Sequence, residues 1–231
     1  MSLSSRVIVA LDFANQADVF KLVDQLDPTQ CKLKVGKELF AIAGPGLVEQ
    51  LVSRGFDVFL DLKYHDIPNT VAMACKAAAN MGVWMVNVHA LGGPNMIAAA
   101  KESILTADHQ PILTAVTILT SFDPAQLSAI GLSGSIQDNV VRLAKLAQNS
   151  GADGVVCSAQ EATELRKHVS NDFCLVTPGI RPAGAKTDDQ KRIMTPVEAV
   201  QAGSDYLVIG RPITQSPDPL ASLLAINQSL S

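Results

Sequence analysis

The sequence has few features of secreted, nucleic-acid-binding or membrane proteins. Its four cysteines form no C-x-x-C pair and no zinc-ligand spacing, which fits free thiols in a reducing compartment. Lys and Arg (18) are outnumbered by Asp and Glu (22), so the sequence has no basic footprint for nucleic acid. No apolar run reaches the length of a membrane span, and residues 1–6 lack the apolar core of a signal peptide. We therefore expect a cytoplasmic protein that binds neither nucleic acid nor membrane.

Apolar residues are abundant but occur in short runs. They make up 48% of the 231 residues, which is enough for a large core. This length lies in the range in which α/β barrels form a single domain, and no linker or low-complexity segment divides the chain. We expect residues 1–231 to form one catalytic domain.

The apolar runs alternate with helix-like segments. Near-continuous runs of Val, Ile and Leu are typical of parallel strands that are buried on both faces. The predicted strands are 6–12, 31–36, 57–60 with the charged residues that follow it, 85–90, 112–119, 154–158, 173–179 and 206–211. Helices are predicted at 14–26, up to 54–55, and at 68–82, 94–107, 121–124 and beyond, 135–148, 160–168 and 219–228. This order predicts an α/β fold, a (β/α)8 TIM barrel. A doubly wound open sheet is disfavoured because no G-x-G-x-x-G follows a strand.

Polar residues collect where the predicted strands end. In a barrel of this kind, the active site lies at the carboxyl ends of the strands. Lys32 and Lys34 share a face of the second strand, and we favour Lys34 because it is nearer that end. The candidate residues at the strand ends are Asp12, Lys34, Asp61, Lys63, His89, Thr120, Ser121, Arg181, Gly210 and Arg211.

The stretch 61–70, D-L-K-Y-H-D-I-P-N-T, carries the strongest pattern. A lone D-x-K at a strand end is most often a surface ion pair. Here Lys34, Asp61, Lys63 and Asp66 alternate in sign, and such alternation stabilises each charge in a site of low dielectric constant. We expect His65 and His89 to be packing residues.

A second set of residues predicts an anion site. Loops after the seventh and eighth strands often bind phosphate in barrels. Gly210 allows close approach of the backbone and Arg211 offers a fork of donors, although a simple turn explains this pair equally well. Arg181 either braces its loop or contacts a ligand. The polar segment 180–193 has the length of a lid or binding loop.

Six blocks of this sequence together resemble the bacterial type of the orotidine 5'-phosphate decarboxylase family. They occur in the family's order and span nearly the whole chain. The blocks are residues 8–12, 34–36, 61–70, 119–121, 178–182 and 208–212.

The resemblance implies a role for each matching residue. Lys63 would protonate C6 of the pyrimidine, and Asp61 would face the substrate carboxylate. Asp12 would bind the ribose, with Lys34 reaching a ribose hydroxyl and the charged cluster. Asp66 would be catalytic from across the interface of a homodimer.

The remaining implied roles concern substrate binding. Thr70 would cross the dimer interface together with Asp66. Thr120 or Ser121 would contact the pyrimidine edge. The phosphate of orotidine 5'-monophosphate would be held by the Gly210 amide and by Arg181, Gln190 and Arg211. The resemblance implies no cofactor and no metal.

Two other functions stay open at this point. One is a magnesium-dependent sugar-phosphate decarboxylase or aldolase of the same barrel suprafamily, in which an acidic residue typically stands where this chain has Lys34; a lysine there would repel the metal. The other is a nucleotide-binding barrel without activity, which an intact Lys63 and charged cluster disfavour.

Overall fold

The structure, a computed structural model, describes residues 5–182 and 194–230. Within these residues, eight parallel strands close into a barrel in chain order, with β1 paired to both β2 and β8. This arrangement confirms the predicted (β/α)8 barrel. The strands are β1 (Val7–Ala10), β2 (Lys32–Gly36), β3 (Val58–Tyr64), β4 (Met85–His89), β5 (Ile112–Val116), β6 (Gly154–Val156), β7 (Cys174–Thr177) and β8 (Tyr206–Ile209).

Helices follow the strands and cover the outside of the barrel. They are α1 (Gln16–Val23), α2 (Lys37–Ser53), α3 (Pro68–Asn80), α4 (Pro94–Leu105), α5 (Pro124–Ala129), α6 (Ile136–Asn149), α7 (Ala162–Leu165), α8 (Pro196–Gln201), α9 (Arg211–Thr214) and α10 (Pro219–Ser229). Among the described residues, no helix is both long and apolar enough to cross a membrane.

Several predicted boundaries differ from the observed ones. Apolar runs overestimate β5 to β8, because the chain leaves the strand before the run ends and continues in a loop or, after β8, in α9. Strand β3 is longer than its apolar run and continues through the charged residues to Tyr64. Helix α2 is interrupted at Gly44, which has a φ of 64° and is followed by Pro45. A proline lacks the N–H of a regular helix, so the helix restarts there.

The hydrophobic core has two layers. Strand residues that face outward pack against the helices and form the larger layer. A smaller layer fills the barrel interior, and it is formed by Ile8, Ala10, Phe59, Met85, Val176 and Val208. The alternation of side chains along a strand produces both layers from the same apolar runs.

This alternation also sets the direction of the charged side chains of β3. Phe59 belongs to the inner layer, whereas Val58 and Leu60 belong to the outer one. Asp61 is therefore placed inside the barrel, one pleat above Phe59, and Leu62 packs outward. The inner layer forms the floor on which the charged group rests.

Candidate functional site

Two adjoining cavities open at the carboxyl end of the barrel. The inner one is lined by apolar residues of β3, β5, β6 and β8, and by Lys63 and Thr120. The outer one, with a volume of about 540 Å³, is lined by Asp12, Arg181 and Arg211. Both cavities share Lys34 and Asp61, so these two residues stand at the junction. The volume of the outer cavity lies in the range of small-molecule sites.

Asp61 is the centre of the charged group. Its Oδ1 lies 2.6 Å from the Lys63 Nζ, and its Oδ2 lies 3.5 Å from the Lys34 Nζ. Lys34 also lies 3.3 Å from an oxygen of Asp12, which is largely exposed. The Asp61 and Lys34 side chains are only 13% and 10% exposed, so these charges act on each other with little screening by water. Of the charged cluster predicted from the sequence, the structure brings Lys34, Asp61 and Lys63 together, with Asp12 beside them. The fourth predicted member, Asp66, is exposed just before α3 and is not part of this group.

The surroundings of Asp61 keep it ionised. Burial alone would raise the pKa of this carboxyl. The Lys34 and Lys63 ammonium groups, with hydrogen bonds from Lys63 and Asn87, outweigh burial and hold the pKa below its ordinary value. The group therefore contains a permanent anion between two cations, which keeps both ammonium groups in fixed positions.

Lys63 has an unusual backbone. With φ at 52°, it is the one non-glycine residue of positive φ in the described part of the chain. A left-handed backbone costs a residue with a side chain about 1 to 2 kcal/mol. It coincides with a change of register between Leu60 and Tyr64, where β3 departs from regular pairing with β4. The site thus uses a strained bulge to direct the Lys63 side chain.

Asn87 was not a candidate from the sequence. It lies on β4, is fully buried, and its side chain accepts a hydrogen bond from the Lys63 N–H at 2.7 Å. The same amide donates to Oδ1 of Asp61 at 2.7 Å. The sequence did contain one indication of its role. Asn87 is a single amide inside the apolar run 85–88, and a buried polar group needs a hydrogen-bond partner.

The outer cavity contains the predicted anion-binding residues. Arg181 follows β7 and is almost fully buried, and its Nη1 donates to the Ile180 carbonyl at 3.0 Å. Arg211 begins α9 directly after Gly210. A Cβ on Gly210 would be in ordinary van der Waals contact with Ala10, at 3.6 Å, and with Asp12, at 3.8 Å. Gln190 lies outside the described residues, as does most of the predicted lid.

Thr120 and Ser121 differ in position. Thr120 lines the inner cavity beside the apolar residues of β5 and β6. Ser121 is exposed and does not line either cavity. Of this predicted pair, Thr120 is the residue with access to a ligand within one chain.

Asp66 and Thr70 lie outside the charged group of their own chain. Both are exposed, Thr70 in the first turn of α3 and Asp66 just before it. The Asp66 carboxylate accepts a hydrogen bond from the N–H of Ile67 at 2.6 Å. Ile67, between them, is 66% exposed. Their predicted action in a partner's site stays a prediction.

His89 and His65 stack on each other beside the site, with ring centroids 5.5 Å apart. Burial, together with the charges of His65, Lys37 and Lys63, lowers the pKa of His89 to about 4. Its Nδ1 is buried without a hydrogen-bond partner among the described residues. A neutral packing role, as expected from the sequence, fits this environment.

Sequence comparison places the chain in a family. A model of the orotidine 5'-phosphate decarboxylase / HUMPS family matches residues 5–226. The chain belongs to this family. A relative named orotidine 5'-phosphate decarboxylase, from Hydrogenovibrio crunogenus, is 64% identical over 225 residues, which cover 97% of this chain and 95% of the relative. A second, from Nitrosococcus oceani, is 58% identical and the match covers 98% of both chains.

A solved structure agrees with this assignment. The crystal structure of orotidine 5'-phosphate decarboxylase from Lactobacillus acidophilus superimposes with a TM-score of 0.89 at 42% sequence identity, covering 98% of this chain and 99% of that one. The family joins decarboxylases with the HUMPS group, so the side chains of the site must indicate the reaction. In the described residues, no three His, Cys, Asp or Glu side chains cluster as metal ligands.

Proposed function

We propose that this protein converts orotidine 5'-monophosphate to UMP and CO2 without a cofactor, as the last step of de novo pyrimidine biosynthesis in the cytoplasm. One observation carries the proposal: the Lys63 ammonium, 2.6 Å from Asp61, lines a cavity that adjoins the one lined by Arg211. The four free cysteines are compatible with a reducing compartment.

Lys63 is the proton donor in this proposal. The bond between C6 and the carboxylate carbon breaks, CO2 leaves, and the electron pair stays on C6. A fixed ammonium beside C6 stabilises this developing charge more than it stabilises the substrate, which lowers the barrier. The ammonium then gives one proton to C6, which yields UMP, and the resulting amine recovers a proton from water.

Asp61 and Lys34 support this step. Asp61 would lie against the substrate carboxylate, a contact between like charges that is relieved when CO2 departs. Its low pKa supports this role, because a protonated carboxyl would not repel the substrate. Lys34 balances the charge of Asp61 and, with Asp12, would hold the ribose hydroxyls.

The outer cavity would bind the phosphate. Its oxygens would be contacted by Arg181, Arg211 and the amide of Gly210, together with Gln190. Thr120, which lines the inner cavity, would contact the pyrimidine edge. A guanidinium offers paired donors that match phosphate geometry. Because the phosphate is remote from C6, its binding energy would position the ring and close the segment 180–193 over the site.

A homodimer would complete the site. Asp66 and Thr70 are exposed at the start of α3, where the neighbouring Ile67 and Met73 are also exposed. Exposed apolar residues around functional polar ones are typical of an interface. We propose that Asp66 and Thr70 enter the partner's site, with Asp66 next to the partner's charged group.

The alternative, a magnesium-dependent sugar-phosphate decarboxylase or aldolase, is less compatible with these charges. The Lys34 ammonium already lies 3.3 and 3.5 Å from the carboxylates of Asp12 and Asp61. A divalent cation at this point would meet a fixed positive charge instead of a third carboxylate. Turnover of orotidine 5'-monophosphate that survives EDTA supports the proposal, and loss that is restored by magnesium supports the alternative.

The direct test is the loss of pyrimidine absorbance when purified protein meets orotidine 5'-monophosphate. Lys63→Ala should lower kcat at least about 10³-fold, because one group supplies both charge stabilisation and the proton. Lys21→Ala, which removes an exposed lysine of α1, is the matched control and should keep full activity. UMP binding without turnover by the unaltered protein would instead favour a non-catalytic barrel.

A further inference from the structure

The amide of Asn87 is a buried polar group beside the charged cluster, and it has no role in the proposed reaction as described above. It is 0% exposed and makes two hydrogen bonds of 2.7 Å. One orientation of the amide satisfies both, because Oδ1 must accept from the Lys63 N–H and Nδ2 must donate to the Asp61 carboxylate. A single side chain thus connects the backbone of one functional residue with the side chain of another.

The sheet register explains why an amide is needed there. Leu60 pairs with Val86, and Tyr64 pairs with Val88. Asn87 alone therefore stands opposite the segment of β3 that contains Asp61 and Lys63. A bulge of this kind breaks the ladder of backbone hydrogen bonds and leaves donors without partners. The Asn87 side chain replaces the missing acceptor at Lys63, the residue whose backbone is left-handed.

From this geometry we propose that Asn87 is a positioning residue for the decarboxylation. Its amide stabilises the bulge that directs the Lys63 ammonium into the inner cavity, and it holds Oδ1 of Asp61 at the same time. The inference rests on the proposed function and adds to it a residue that does not touch the substrate.

A neutral donor has an advantage at this position. When Lys63 gives its proton to C6, it becomes an amine and Asp61 loses the charge of its nearest partner. The Asn87 N–H does not ionise, so it keeps its hydrogen bond to Oδ1 throughout the reaction, while Lys34 stays near Oδ2. The carboxylate is therefore held in one orientation before and after proton transfer.

Other side chains would not fill both roles. An aspartate would set a second carboxylate against Asp61, and a leucine would leave the Lys63 N–H buried without an acceptor. Alanine removes both hydrogen bonds without adding charge, and serine is too short to bridge the two groups. Asn87→Ala and Asn87→Ser are therefore the informative variants, with Asn87→Asp as the charged one.

The experiment separates positioning from folding by counting working sites. Titration with UMP gives the concentration of binding-competent sites in each variant, and kcat is then expressed per UMP site. We expect kcat per site to fall about 10- to 100-fold in Asn87→Ala and Asn87→Ser, by analogy with residues that orient the ligands of a metal site. KM and the UMP dissociation constant should change less than about threefold. Asn87→Asp should lose more.

Thr114→Val is the matched control. Thr114 pairs with Asn87 in the sheet and is equally buried, but its hydroxyl donates to the Val86 carbonyl. Its kcat per site should equal that of the unaltered protein. If Asn87→Ala and Asn87→Ser merely reduced the number of UMP sites while kcat per site stayed within about twofold, Asn87 would be structural and the inference wrong.

The inference and the proposed function fail in different ways. Absence of turnover by the unaltered protein would overturn both. Normal turnover by the unaltered protein together with normal kcat per site in the Asn87 variants would overturn only the positioning role. Loss of kcat per site confined to the Asn87 variants supports it.

Discussion

Lys32 and Lys34 lie two residues apart on β2, both buried inside the barrel, and serve opposite ends of it. The Lys32 Nζ lies 2.6 Å from Asp57 and 4.5 Å from the centre of the Trp84 ring. The Lys34 Nζ lies between Asp12 and Asp61 at the carboxyl end. Two lysines on the same face of β2 therefore have different roles. Lys32 closes the amino end of the barrel, and Lys34 places a positive charge at the carboxyl end.

Lys32→Met should reduce stability and leave catalysis intact. The variant removes an ion pair and a cation–π contact, but Asp57 is half-exposed and is not left in an apolar environment. We expect the free energy of unfolding to fall by about 1 to 3 kcal/mol. Chemical denaturation measures this change, and an unaltered kcat for orotidine 5'-monophosphate is the accompanying result. If Lys32→Met lost activity but kept full stability, the structural role assigned to Lys32 would be wrong.

Lys34→Met, in contrast, should reduce catalysis. Removal of this ammonium leaves the buried Asp61 with one cation instead of two and raises the pKa of its carboxyl. We expect kcat/KM to fall at least about 100-fold, because both the ribose contact and the charge balance are lost. The measurement is steady-state turnover beside Lys32→Met under the same conditions. Equal activity in the two variants would refute the assignment of Lys34, rather than Lys32, to the active site.

Arg211→Ala should weaken the binding of UMP through its phosphate and leave the binding of the nucleoside part unchanged. A hydrogen bond to a charged group contributes about 1.5 to 3 kcal/mol, so the dissociation constant of UMP should rise about 10- to 100-fold. Binding of uridine, which lacks the phosphate, is the internal control and should be unchanged. Calorimetry with both ligands tests this, and an equal loss for uridine would remove Arg211 from the phosphate site.

Complementation between two inactive variants tests the shared site. Lys63→Ala and Asp66→Ala should each have little activity alone. In a mixed dimer, one site combines an intact Lys63 with an intact Asp66 from its partner, so mixing after mild unfolding and refolding should restore activity. If Asp66 worked within its own chain, every site in the mixture would lack one residue and the activity would stay low.

His89 should make stability dependent on pH. Because the folded protein holds the pKa of His89 at about 4 instead of 6.5, the unfolded chain binds more protons between these values. The stabilising contribution is complete above pH 6.5 and is lost as the pH falls toward 4. Thermal unfolding at pH 7 and pH 5 should therefore show a smaller difference for His89→Gln than for the unaltered protein. An identical difference would show that His89 is not the group responsible.

The sequence predicted the barrel because apolar runs and helices alternate with a regular spacing, and it predicted the inward charges because strand side chains alternate. The bulge at Lys63 was beyond this reasoning, since a change of register depends on the pairing of β3 with β4. Asn87 was missed for the same reason, because its partners are 24 and 26 residues away along the chain. The break of α2 at Gly44 could have been read from the Gly-Pro pair that follows Ala43.

In the described part of the chain, the apolar floor formed by Phe59 and Met85, with Lys32 and Trp84 beneath it, closes the barrel below the proposed site. In the proposed reaction, carbon dioxide and UMP would therefore leave through the same opening by which the next substrate enters. Bound UMP would exclude orotidine 5'-monophosphate, so we expect UMP to be a competitive inhibitor.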